Sequence, residues 1–129
     1  MTYGLALIPL SHDYCSRLTQ LIAQPLRRCL GLPRSCSAQR LLWEFGMYDV
    51  RTLHLKSIIE FAMRSQRCLE KGVPLASQLA EDIRDYVPAP SAKYCLPFPQ
   101  LVRDALAELG LHELPDDKAD LKHAVDNHE

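Results

Sequence analysis

Apolar residues spaced three and four apart, in runs punctuated by glycine and proline, restrict the fold of this chain more than any other feature. After Ser11, a residue suited to an N-cap, Tyr14, Leu18, Leu21, Ile22, Leu26 and Cys29 keep this rhythm until Gly31. Ser35 or Ser37 can cap a second run through Leu41, Leu42 and Phe45 to Gly46. Asp49 can cap a third that reaches about Leu69, with Leu55, Ile59, Ala62 and Leu69 on its apolar side and Gly72 as its stop. Pro74 suits the first turn of a fourth, in which Leu75, Leu79, Ile83 and Val87 align. Leu101, Val102, Ala105, Leu106 and Leu109, closed by Gly110, make a fifth. Only residues 5–10 could be strand. The expectation is a mainly α chain, a small irregular bundle of about five helices without a substantial sheet. Pro25 should kink or restart the first helix, because it removes a donor and crowds the carbonyl one turn back.

Charge divides the chain further. Residues 1–72 hold ten Lys/Arg against five Asp/Glu, whereas residues 73–129 hold five against eleven, so a net charge of −1 conceals opposite halves. This suggests a basic helical region over 1–72 and an acidic helical extension over 73–114. Pro88-Ala89-Pro90-Ser91 and Leu96-Pro97-Phe98-Pro99 mark a proline-rich linker at 88–99. Residues 115–129 read as a polar, disordered tail. A basic half can attract a nucleic-acid backbone through counterion release, or the two halves can neutralise each other within one fold.

The basic turn Arg27-Arg28-Cys29-Leu30-Gly31-Leu32-Pro33-Arg34-Ser35 joins the first two helical runs, with its cations where unpaired helix carbonyls favour positive charge. Together with Tyr3-Gly4 before it and Leu41-Leu42-Trp43-Glu44-Phe45-Gly46-Met47 after it, this ordered set resembles the reverse transcriptases of non-LTR (LINE-type) retrotransposons. The resemblance covers roughly residues 3–70 and falls on the segment C-terminal to the catalytic palm, the thumb and connection. It implies a helical fold and backbone contact with template RNA and primer DNA, with the palm lying upstream of Met1. On that reading Arg27, Arg28 and Arg34 are the foremost phosphate-contact residues. Arg64, Arg67 and Lys71 follow, on a third-helix stripe that also includes Lys56 and Glu60 and could equally be a solvated face.

Polymerase palms use two metal ions held by carboxylates. The only adjacent Asp pair, Asp116-Asp117, follows Pro115 and suits a helix N-terminus instead. The chain is therefore expected to be non-catalytic, with no catalytic residues, cofactor or metal. The five cysteines, Cys15, Cys29, Cys36, Cys68 and Cys95, are odd in number and show no CxxC spacing, which points to free thiols in a reducing compartment. His12 with Cys15, or His123 with His128, offers at most two zinc ligands without a matching second pair. No apolar run is long enough to cross a bilayer, and the expected location is intracellular, cytoplasmic or nuclear. Two functions compete: a thumb-like fragment that binds template-primer phosphates, and a helical module whose exposed apolar faces meet a protein partner or a second copy. Trp43 reads as a core or interface anchor in preference to a base-stacking platform.

Overall fold

The helix ends show why each run folds. In the computed structural model, which describes residues 4–8, 10–85 and 98–128, Ser11 Oγ accepts the Tyr14 amide at 3.3 Å and opens α1 (His12–Leu30). Gly31 closes α1 at φ 64°, and the Leu32 amide returns to the Arg27 carbonyl at 2.9 Å. That left-handed conformation is open to glycine at little cost. Ser37, not Ser35, caps α2 (Ala38–Glu44), accepting the Arg40 amide at 3.4 Å. α3 spans Val50–Glu70, α4 Pro74–Asp85, α5 Phe98–Glu108 and α6 Lys118–Asp126. The described residues contain these six α-helices, one 3₁₀ turn at Leu5–Leu7, and no strand. The chain is mainly α.

Several expectations change in detail. Within residues 5–10, the one candidate strand, Leu5–Leu7 forms a 3₁₀ turn. Pro25 does not restart α1, which runs through it unbroken. Pro25 and Leu21 both lie exposed, so water can satisfy the Leu21 carbonyl that proline leaves without a donor. Phe98 and Pro99, assigned to the linker by their prolines, form the first turn of α5, where a missing amide hydrogen costs nothing. The remainder of that linker and Val87 lie outside the described residues, as do Tyr3 and Cys95.

The polar C-terminal stretch is also more ordered than its composition suggests. Residues 118–126 form α6, with Leu121 and Val125 buried, because two apolar side chains four apart suffice to seat one face of a short helix. Asp117 takes the N-cap position without a side-chain capping bond, leaving charge-dipole attraction as its contribution.

The chain divides into two compact units, Leu10–His54 and a second made of Met1–Pro9 with Leu55–Glu129. The division falls inside α3, ahead of the charge boundary near residue 72. In the larger unit the core gathers Leu55, Ile58, Ile59, Ala62 and Met63 of α3, Ile83 of α4, Val102 and Ala105 of α5, and Leu121 and Val125 of α6. Phe61 meets Phe98 edge to face, with ring centroids 5.2 Å apart at 81°, which pins the start of α5 to α3. α4 packs on α5. In the smaller unit α1 packs on α2, with Ala23, Ala38 and Leu41 buried together and Leu26 against them.

Candidate functional site

α1 carries two stripes, and the smaller unit buries the less apolar one. Cys15, Thr19, Ala23 and Arg27 recur every four residues and are all buried. Such an i, i+4 ridge of small side chains lets a neighbouring helix approach closely, here Ala38 and Leu41 of α2. The Thr19 hydroxyl within the ridge is satisfied locally. Thr19 Oγ1 donates to the Cys15 carbonyl at 2.8 Å and accepts the Val50 amide at 3.1 Å, which ties the α3 N-terminus to α1.

Arg27 is the most constrained of the six residues the sequence nominated. It is 8% exposed; Nη1 donates to Gln20 Oε1 at 3.0 Å, and Nη2 donates to the Cys36 carbonyl. Its Nε is buried without a hydrogen-bond partner. The guanidinium thus clamps the turn between α1 and α2 and is not presented to a phosphate. Arg27 sits beside Arg28 in a basic run, and spacing groups it with Cys15, Thr19 and Ala23, but only the packing of that group against α2 turns it inward. Arg28 and Arg34 are exposed in the same unit. Arg64, Arg67 and Lys71 are exposed along α3 and just beyond its end, in the other unit.

The other α1 stripe looks outward. Tyr14, Leu18 and Leu21 are 62%, 37% and 57% exposed, and Pro25 extends the line. Tyr14, Leu18 and Leu21 belong to the apolar rhythm read from the sequence; of its other members, Ile22 and Leu26 are half-buried and Cys29 is exposed. Arg17 and Arg28 flank the stripe on one side at helical spacing, both exposed. At the end of α2, Trp43, Phe45 and Met47 are also exposed, so Trp43 is not a core anchor. Leu41 and Leu42 of the same segment are buried, and Gly46 takes φ 68°. Of the residues that carry the retroelement resemblance, Arg27, Leu41 and Leu42 are buried and Gly31 and Gly46 close helices, while Arg28, Leu30, Leu32, Arg34, Trp43, Phe45 and Met47 are exposed.

A polar recess of about 240 Å³ adjoins the buried ridge, lined by His12, Cys15, Gln20, Ser37, Asp49 and Arg51 among others. Among the described residues no three His, Cys, Asp or Glu side chains converge as metal ligands. In the larger unit, Arg84 Nε lies 3.1 Å from Asp85 Oδ1. Their hydrogen bond and opposite charge hold the Asp85 carboxyl below, and the Arg84 guanidinium above, their ordinary ranges. His128 Nε2 lies 4.0 Å from Glu108 Oε1, a contact from the α6 end to α5. No family model matches the chain, and comparison with curated proteins and with solved structures finds no match either.

Proposed function

We propose that the unit Leu10–His54 is a non-catalytic helical interaction module whose contact surface is the outer face of α1. One observation carries this reading: Tyr14, Leu18 and Leu21 stand in solvent in register while the opposite, less apolar face is packed. Each large apolar side chain left in water forgoes roughly 1.5–3 kcal/mol of burial. Scattered exposed leucines are ordinary on protein surfaces, but an aligned stripe flanked on one side by Arg17 and Arg28 marks a surface that meets something. The test is a photo-crosslinking side chain placed at position 21 in the expressing cell, with position 66, exposed on α3, as control. Discrete protein adducts, with either another protein or a second copy, are expected at 21 and not at 66. Equal yields at both positions would remove the basis for the reading.

A second reading is favoured by a separate observation. Arg28, Arg34, Arg64, Arg67 and Lys71 are exposed, and their side chains form no ion pair among the described residues. Such cations suit weak, sequence-independent contact with the phosphates of an RNA or DNA template-primer, the role of the reverse-transcriptase thumb that the sequence resembles. Reversing Arg28 and Arg34 together should flatten the plot of log affinity against log salt by roughly 0.9 per lost phosphate contact. An unchanged slope with intact helix content would remove those two residues from the interface.

A further inference from the structure

Resting on the reading of the α1 outer face as a contact surface, we infer that its occupant is α1 of a second copy, laid antiparallel. The stripe Tyr14, Leu18, Leu21, Pro25 has spacings of four, three and four, so it reads the same in both directions. In an antiparallel pair related by a two-fold axis, Tyr14 meets Pro25 of the second copy and Leu18 meets Leu21 of the second copy. Every layer is then filled by its own complement. Charge chooses the same orientation. α1 has Asp13 in its first turn and Arg28 exposed in its last. Antiparallel packing brings the acidic end of each helix to the basic end of the other and opposes the two helix dipoles. A parallel pair would instead bring the two Asp13 ends together and align the two helix dipoles. Four layers make a small interface, so the dimer is weak and reversible.

Sedimentation of the full chain from about 1 µM to about 1 mM should show a monomer–dimer equilibrium. Leu18→Glu alone and Leu21→Lys alone should each sediment as monomers with unchanged helix content, since both side chains point outward. Mixing the two variants should restore a dimer, because antiparallel pairing sets the introduced carboxylate opposite the introduced ammonium in one layer and leaves the native Leu21–Leu18 pair in the other. Parallel pairing would leave both charges facing leucine. Wild-type chain that stays monomeric throughout, a dimer indifferent to Leu18→Glu, or monomeric variants that fail to rescue each other would overturn the inference. Adducts with other proteins at position 21, from a monomeric chain, would overturn the second-copy occupant and leave the contact-surface reading standing. Absence of any adduct at 21 would remove both.

Discussion

Replacing Arg27 separates a structural from a ligand-binding arginine more sharply than any other single change. In Arg27→Ala two hydrogen bonds disappear, one to Gln20 Oε1 and one to the Cys36 carbonyl. Gln20 is exposed, so water replaces the lost donor there, but the half-buried Cys36 carbonyl has less access to water. Hydrogen bonds from a charged donor contribute about 1.5–3 kcal/mol each, and removing a buried guanidinium returns part of its desolvation cost, which its unpartnered Nε has not offset. The side chain also fills space beside the turn between α1 and α2. The balance is a destabilisation of about 2 kcal/mol, roughly a thirtyfold change in the folding equilibrium. For a domain of this size that lowers the melting temperature by roughly 5–10 °C, readable by circular dichroism at 222 nm and by urea unfolding. Arg28→Ala, one residue on and exposed, should stay within about 0.5 kcal/mol of wild type. If Arg27→Ala kept wild-type stability while losing affinity for a template-primer duplex, the clamp would be wrong and the phosphate role restored.

Thr19→Val removes the acceptor for the Val50 amide and should cost about 1–3 kcal/mol in urea unfolding; no loss would show that this bond does not tie α3 to α1. Leu42→Ala, at a fully buried position, should cost about 2–5 kcal/mol, whereas Leu75→Ala, at 87% exposure, should fall within about 0.5 kcal/mol, and similar values for the two would contradict the core assignment. Leu121→Ala should destabilise the chain by about 2–4 kcal/mol and speed amide exchange across residues 118–126; a silent substitution would return this segment to a disordered tail. By NMR titration the Asp85 carboxyl should titrate below the ordinary Asp range and move up in Arg84→Ala, with an unchanged midpoint refuting the pair. A depressed folded value means that any stabilisation is present above the unfolded Asp value and lost as pH falls through the folded one; because both groups are fully exposed, the titration and not the stability is the readout.

Much of the secondary structure was legible because it depends on local physics. Ser11, Ser37, Gly31, Gly46 and Gly72 start or stop helices through their own backbone and hydroxyl chemistry, and the three-and-four rhythm between them needs no knowledge of the rest of the chain. Where that reasoning failed, a distant contact decided. α6 was obscured because nine residues rich in charge dilute the signal of Leu121 and Val125, and only a core able to receive those two side chains shows that they matter. The start of α5 was obscured because Phe98 and Pro99 follow a proline-rich stretch, and what fixes them is the ring of Phe61.

The candidate site shows the same limit more strongly. The sequence determined that α1 is an amphipathic helix with a basic end and an apolar rhythm through Tyr14, Leu18, Leu21, Ile22, Leu26 and Cys29. It could not determine which face turns inward, because helix periodicity specifies how side chains are grouped around the axis and not what lies against each group. Tertiary structure made that choice by close packing: Ala23 admits Ala38 and Leu41, Thr19 holds the Val50 amide, and Arg27 reaches the Cys36 carbonyl. That packing put an arginine inside and left a tyrosine and two leucines outside.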